Sequence, residues 1–165
     1  MNPAVLVVDD EEATVFGVSR YLRGRGYEVL TAASLAEARD RAAEERCDAV
    51  LLDLHLPDGN GIDWIPLLRA ESPGVGIVVV TGEGDIPTAV EAMRRGADNF
   101  LTKPVDLKAL EVHLAKAMEV RGLRRHLLAK EIKGPPAGPY FGRSDAMRKV
   151  FDLASLAAEN DAPVL

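Results

Sequence analysis

The chain has 165 residues, a length that suits one full domain and part of a second. Hydrophobic residues make up 47% and charged residues 28%, which is ordinary for a globular protein. The net charge of −6 argues against nucleic-acid binding by this part of the chain. No signal peptide and no apolar run of transmembrane length is apparent, so a cytoplasmic protein without membrane contact is expected.

The chain has a single cysteine, Cys47, which excludes an internal disulfide framework and a cysteine-rich zinc site. This cysteine comes just before an apolar run of strand length. That position favours a buried structural thiol over a reactive one.

Five apolar runs of strand length alternate with five helical patterns along the chain. The runs cover residues 4–8, 28–31, 49–52, 77–80 and 99–102. This alternation predicts an α/β fold, a doubly wound five-stranded parallel sheet with helices on both faces. Right-handed crossovers favour the flavodoxin-like strand order 2-1-3-4-5.

Capping signals mark the ends of several predicted helices. Ser34, with Glu37 three residues later, forms a capping box for the second helix. Either Asp85 or Thr88 is expected to cap the fourth helix, which Gly96 ends.

The fifth helical pattern runs from Asp106 to about Ile132 and is too long for a compact domain. Its C-terminal half carries an apolar stripe among basic residues, formed by Val120, Leu123, Leu127, Leu128 and Ile132. The spacing favours pairing of this protruding helix with a second copy of the chain. The alternative is that the stripe covers a neighbouring surface of the same chain.

A Gly-Pro-Pro-Ala-Gly-Pro segment at residues 134–139 is predicted to be a linker. An amphipathic helix capped by Ser144 follows it, and Leu165 comes just as another strand begins. Residues 140–165 are too few to enclose a core, so they are expected to be the truncated start of another domain.

Polar residues end four of the predicted strands. They are Asp9 and Asp10 after the first strand, Asp53 after the third, Thr81 after the fourth and Lys103 after the fifth. Because the carboxyl ends of parallel strands meet at one edge of the sheet, these side chains are expected to face one crevice. Three neighbouring carboxylates repel one another, and a hard divalent cation such as Mg2+ relieves that repulsion.

The same residues suit phosphoryl chemistry. Asp53, held beside a metal ion and Lys103, can attack phosphorus and form an acyl phosphate. Mg2+, Lys103 and the Thr81 hydroxyl would meet the charge of the transferring group. Each residue alone has an ordinary explanation, such as a helix cap or a surface lysine, but the joint arrangement on four strands favours a site.

Four motifs make the chain similar to a two-component response regulator receiver domain over roughly residues 3 to 120. They are Val-Val-Asp-Asp-Glu at 7–11, Leu-Leu-Asp-Leu-His-Leu-Pro-Asp-Gly at 51–59, Val-Val-Thr-Gly at 79–82 and Phe-Leu-Thr-Lys-Pro at 100–104. The resemblance implies that residues 1–120 form the receiver and that Asp53 accepts a phosphoryl group from a histidine kinase. It implies Mg2+ bound by Asp9, Asp10, Asp53 and the backbone carbonyl of His55.

The receiver resemblance also implies a switch. Thr81 and Phe100 would be the switch pair, and Lys103 the partner of the phosphoryl group. Phe100 stands where the family often has tyrosine, so it keeps the rotating ring but lacks the hydroxyl. The bond between Lys103 and Pro104 is expected to be cis. The positions of His55 and Glu83 flank the acyl phosphate in the family, and both residues are expected to affect its lifetime.

A narrower resemblance is to the NtrC-type subfamily of receivers. It rests on residues 82–93 and on Phe-Gly-Arg-Ser at 141–144 with the segment 157–165. It implies a linker over 121–139 and, over 140–165, the start of an AAA+ ATPase domain that remodels sigma-54 RNA polymerase. The Walker loop would follow Leu165, so this chain is not expected to bind nucleotide or to be an enzyme. A homodimer is expected through the face of the fourth helix, fifth strand and fifth helix, or through the linker helix.

Two other functions compete with this interpretation. A magnesium phosphatase resembling the haloacid dehalogenases needs a second acid two residues after its nucleophile, where this chain has His55. A free-standing receiver, acting as a phosphorelay intermediate or phosphate sink, is the nearer alternative. The segment from Phe141 onward argues against it.

Overall fold

The computed structural model describes residues 1–82 and 86–132, the last two without their side chains. Residues Met1–Leu128 form one compact unit and Ala129–Leu165 a second. The predicted linker and tail, residues 134–165, lie outside the described residues. Glu83 and Asp85 lie outside them as well.

Strands and helices alternate along the described chain as the apolar runs predict. The strands are β1 (Ala4–Val8), β2 (Glu28–Ala32), β3 (Ala49–Asp53), β4 (His55–Leu56), β5 (Gly59–Asn60), β6 (Gly76–Thr81) and β7 (Asn99–Thr102). The helices are α1 (Glu12–Gly24), α2 (Leu35–Glu44), α3 (Ile65–Glu71), α4 (Ile86–Arg95) and α5 (Leu107–Ile132), with a 3-10 turn at Gly61–Trp64 before α3.

Five parallel strands form one sheet in the order β2-β1-β3-β6-β7. This is the predicted order 2-1-3-4-5, because β4 and β5 are a separate antiparallel hairpin just after β3. The hairpin was not predicted, since its strands have two residues each and carry no periodic pattern.

The central strands are buried on both faces, as unbroken apolar runs indicate. On one face, Leu52 and Val79 pack with residues of α2, α3 and α4. On the other face, Leu51 and Val78 pack with residues of α1 and α5. The two faces alternate residue by residue along each strand, so both cores depend on one register.

Helix ends follow the predicted caps in part. The Ser34 hydroxyl accepts a hydrogen bond from the Glu37 amide at 3.2 Å, but the Glu37 carboxylate accepts from the Ala33 amide at 2.9 Å, so the capping box is shifted by one residue. The prediction that Thr88 could cap α4 is wrong, because α4 begins at Ile86 and Thr88 lies inside it. Gly96 ends α4 at a φ of 117°, which favours glycine.

The fifth helix covers the whole predicted range. The Asp106 carboxylate accepts hydrogen bonds from the amides of Lys108 and Ala109, which starts the helix, and Leu110 and Leu114 are buried against the sheet. Farther along, Leu123 and Leu127 are 61% and 62% exposed, so no surface of the described residues covers this stripe.

No described helix combines the length and the apolar composition that crossing a membrane requires. Cys47, predicted to be buried, is only half-buried. Burial, with the nearby Glu45 and Asp48 charges, still raises the pKa of its thiol to about 11, which disfavours the reactive thiolate.

Candidate functional site

The three predicted acids meet at the carboxyl edge of the sheet. Asp9 follows β1 and Asp53 ends β3, and each is only 4% exposed, whereas Asp10 is exposed. One carboxylate oxygen from each of the three lies within 4.8 Å of the others. An oxygen-only set with an open side fits a hard cation such as Mg2+, which keeps several waters in its coordination shell.

The two buried carboxylates are oriented in the same way. Asp9 Oδ1 accepts a hydrogen bond from the Glu11 amide at 2.9 Å, and Asp53 Oδ1 accepts one from the His55 amide at 3.1 Å. Each acid is therefore fixed by the backbone two residues farther along. The second oxygen of each carboxylate is left to face the crevice.

Lys103 joins those second oxygens. Its Nζ lies 2.8 Å from Asp9 Oδ2 and 2.9 Å from Asp53 Oδ2, and 3.5 Å from Glu11 Oε2. The lysine reaches them because it follows β7, where its amide donates to the Thr81 carbonyl at 2.8 Å. The Lys103–Pro104 bond is cis, as the resemblance implies. An ammonium group thus bridges Asp9, a predicted metal ligand, and Asp53, the predicted phosphoacceptor.

Burial and neighbouring charges shift the pKa values of Asp9 and Lys103. Burial raises the pKa of the Asp9 carboxyl, and the Asp53 charge adds to it, although hydrogen bonds from Lys103 and the Glu11 amide oppose the shift. Burial by itself lowers the pKa of Lys103, but its bonds to Asp9 and Asp53 and their negative charges outweigh it, so the net shift is upward. Lys103 therefore stays protonated, and the raised pKa of Asp9 indicates that the lysine does not fully offset the cost of burying this carboxylate, a deficit that a divalent cation would reduce.

The predicted switch pair lies on the neighbouring strands. Thr81 ends β6, directly after the residue paired with Asp53, and is buried, and its hydroxyl has no hydrogen-bond partner among the described residues. A buried hydroxyl left unpaired costs free energy, so it is poised to accept a new partner. Phe100 lies on the edge strand β7 and is 36% exposed.

Two residues that support the site were not predicted from the sequence, because their contacts are with residues distant in the chain. Asp58, named above only as part of the 51–59 motif, accepts hydrogen bonds from the amides of Leu35 and Ala36 at 2.8 and 2.9 Å, which lower the pKa of its carboxyl. This ties the β4–β5 hairpin to the start of α2. Gly61 passes so close to β3 that a Cβ there would lie 2.5 Å from the Asp53 carbonyl oxygen.

The structure thus brings Asp9, Asp10, Asp53 and Lys103 together. Thr81 lies beside them on its strand, and the His55 side chain is exposed at the crevice edge. A doubly wound sheet whose strand ends present clustered acids and a lysine defines a class of flavodoxin-like α/β domains with an acidic site at the carboxyl edge of the sheet.

The comparisons place the chain within that class. Residues 5–115 match the response regulator receiver domain, and the chain belongs to this family. It is 37% identical over 163 residues to the alginate biosynthesis transcriptional regulatory protein AlgB of Pseudomonas putida, matching 98% of this chain and 36% of that protein. It is 32% identical over 173 residues to the transcriptional regulatory protein PrrA of Mycobacterium tuberculosis, matching 99% of this chain and 74% of PrrA.

Solved structures agree with this assignment. The beryllofluoride-activated NtrC4 receiver domain dimer is 36% identical with a TM-score of 0.68, over 72% of this chain and 98% of that one. The sequence prediction of an NtrC-type receiver is confirmed by these similarities. The chain nevertheless spans only 36% of the length of AlgB, so properties of a whole regulator do not follow from the match.

Proposed function

We propose that the chain is the phosphorylation-controlled module of a two-component regulator, with Asp53 as phosphoacceptor. The observation that carries the proposal is the contact between Lys103 and the two buried acids, with Nζ within 2.9 Å of both Asp9 and Asp53. A sensor histidine kinase would supply the phosphoryl group, and the proposed place of action is the cytoplasm. Asp9, Asp10, Asp53 and the His55 backbone carbonyl would hold Mg2+.

In the proposed reaction, a carboxylate oxygen of Asp53 attacks the phosphorus of a phosphohistidine. The oxygen–phosphorus bond forms as the nitrogen–phosphorus bond breaks, and the imidazole leaves with its electron pair. Lys103 donates to the phosphoryl oxygens, and the Glu11 and His55 amides keep the acids in place. A bound Mg2+ supplies the remaining positive charge for the transferring group.

The proposed output begins at Thr81. Its unpaired hydroxyl would turn toward the new phosphoryl group, and Phe100 would move from its half-exposed position into the space left behind. Such a change alters the face of α4, β7 and α5, where Ile86, Val90 and Met93 are exposed. That face, or the exposed stripe of α5, would then form the homodimer.

The proposed destination of the signal is a sigma-54-dependent ATPase. Support comes from the subfamily motifs and from the similarity to NtrC4 and AlgB. In this proposal residues 1–120 are the receiver, residues 121–139 the linker and residues 140–165 the beginning of the AAA+ domain. Contact with sigma-54 RNA polymerase would be made by that domain, and no nucleic acid would be bound by residues 1–165 themselves.

Replacing the phosphoacceptor tests this proposal. Asp53→Asn should abolish labelling by a radioactive small-molecule phosphodonor in the presence of Mg2+, because the amide is not a nucleophile of comparable strength. Asp63→Asn is a matched control, since Asp63 is an exposed acid whose bond to Arg95 lies away from the crevice. Equal labelling of Asp53→Asn and the native chain would contradict the assignment.

A further inference from the structure

A second charge cluster, in which one arginine is buried and its two partners are half-buried, lies at the amino ends of β6 and β7, the edge of the sheet opposite Asp53. Asp98, the residue before β7, lies between two arginines. Its Oδ2 is 3.0 Å from Arg69 Nη2 of α3, and its Oδ1 accepts from Arg121 Nε and Nη2 of α5 at 3.0 and 2.6 Å. Its Oδ2 also accepts a hydrogen bond from the Ile77 amide at 2.8 Å. Four donors from three elements therefore converge on one carboxylate.

Arg69 is itself fixed on its other sides. Its guanidinium donates to the Gly96 carbonyl from Nη2 at 2.7 Å and from Nε at 3.2 Å, and it also donates to the Val75 carbonyl. These carbonyls belong to the loops that precede β6 and β7. Arg69 thus holds both loops, and Asp98 between them, in one arrangement.

The C-terminal part of α5 is joined to this cluster. Arg121 is only 7% exposed, an unusual position for a charged side chain that depends on its paired bonds to Asp98. One turn later, Arg125 Nη2 donates to the Gly74 carbonyl at 3.2 Å. A Cβ at Gly76 would lie 3.0 Å from Ala117 Cβ, so α5 passes against the start of β6 with no space to spare.

The same strand carries the switch. β7 begins directly after Asp98, contains Phe100 and leads to Lys103 at the phosphoryl site. A displacement of β7 therefore acts on Asp98, and through Asp98 on Arg121. Because Arg121 is buried and donates from both Nε and Nη2 to the same oxygen of Asp98, the contact has few other arrangements available to it.

We propose that Arg69, Asp98 and Arg121 form a clamp that couples the position of β7 to residues 121–128 of α5, here called the extension. The clamp carries the state of the phosphoryl site to the extension and its exposed leucines. This inference rests on the proposed function, because it names how that site controls its output. Arg121 is a positioning residue in this scheme and takes no part in phosphoryl transfer.

Hydrogen exchange of the full chain, with and without Mg2+ and beryllofluoride, tests the clamp. In the native chain, beryllofluoride should change exchange of the extension amides. In Arg121→Gln those amides should exchange about tenfold faster without beryllofluoride, the expected effect of losing a buried charged hydrogen bond, and the response to beryllofluoride should disappear. Labelling of Asp53 by a phosphodonor should stay within about twofold of native, since Arg121 lies at the opposite edge of the sheet.

Arg124→Gln is the matched control, because Arg124 lies one turn from Arg121 on the same helix and is exposed. It should behave like the native chain in exchange and in labelling. Arg121→Lys keeps the positive charge but not the paired guanidinium donors, so it should give a smaller loss of response. This variant replaces Arg121→Gln in the test if Arg121→Gln does not fold. Native-like response in the folded Arg121 variants would overturn the clamp, whereas absence of Asp53 labelling in the native chain would overturn the proposed function instead.

Discussion

At the scale of residues, burial and a single lysine set the behaviour of the candidate site. Asp9 and Asp53 are buried beside each other, and their repulsion is offset by Lys103. The raised pKa of Asp9 records the part of the burial cost that the lysine does not cancel. The site therefore keeps a deficit of positive charge beside Asp9, which a divalent cation would reduce.

Removing the lysine should weaken the fold and increase its dependence on metal. Lys103→Gln is expected to lower the free energy of unfolding by about 1–2 kcal/mol without Mg2+, because two buried carboxylates lose their shared ion pair while partial exposure of the lysine limits the loss. Added Mg2+ should restore more stability to the variant than to the native chain. Urea unfolding with and without Mg2+ measures both effects, and equal stability of the two chains without metal would contradict this account.

The pH dependence of that contribution follows from the raised pKa of Lys103. Its stabilising effect is complete below the ordinary lysine pKa of about 10.4 and is lost only as pH rises through the higher folded value. The difference between native and Lys103→Gln stability should therefore be constant across neutral and mildly alkaline pH.

At the scale of elements, helix ends are fixed partly by neighbouring residues and partly by residues that are distant in the sequence. Ser34 caps α2 through its own neighbour Glu37, and that contact was predictable from spacing alone. Asp58 caps the same helix from 23 residues away, and the residues next to the helix start give no indication of this contact. The prediction that Thr88 could cap α4 was wrong because a threonine near a helix start has suitable chemistry for a cap but does not fix the residue at which the helix begins.

The cap that Asp58 provides should stabilise α2 as much as a cap from a neighbouring residue would. Asp58→Ala is expected to lower the free energy of unfolding, because two amides at the start of α2 lose their acceptor and the helix dipole loses a charge. Since the pKa of Asp58 is lowered, the contribution is present above the ordinary aspartate pKa of about 3.9 and is lost as pH falls through the folded value.

Urea unfolding at neutral pH and at acid pH measures this loss. Asp40→Ala is the control, because Asp40 is an exposed acid on the same helix. A loss no larger for Asp58→Ala than for Asp40→Ala would argue against the cap.

At the scale of the whole molecule, the architecture could be predicted from the sequence more fully than the contacts that surround and support the site. Strand order followed from alternation and handedness, and the places of Asp9, Asp53 and Lys103 followed from the geometry of parallel strand ends. Asp98 and Arg121 escaped prediction, because an aspartate before a strand and an arginine in a basic helix are both ordinary surface residues in a sequence. Only the folded structure brings Asp98 within 2.6 Å of the buried Arg121.

The exposed stripe of α5 is one of the two surfaces proposed for self-association, and replacing its leucines distinguishes them. Leu123→Glu with Leu127→Glu is expected to lower dimer affinity at least about tenfold, because two leucines that would be buried become charged. Leu67→Glu is the control, since it makes the same change at an exposed leucine of α3. Sedimentation of both variants measures the effect, and an unchanged dimer in the stripe variant would assign association to the α4–β7–α5 face.

The proposed function depends above all on transfer of a phosphoryl group to Asp53 with the help of a divalent cation. The most direct measurement is mass spectrometry of the chain after incubation with a small-molecule phosphodonor, with and without Mg2+, followed by borohydride reduction to mark the modified side chain. We expect the mass of one phosphoryl group, dependent on Mg2+, and reduction at Asp53. A chain that stays unmodified with Mg2+, or one marked at a different residue, would contradict the account.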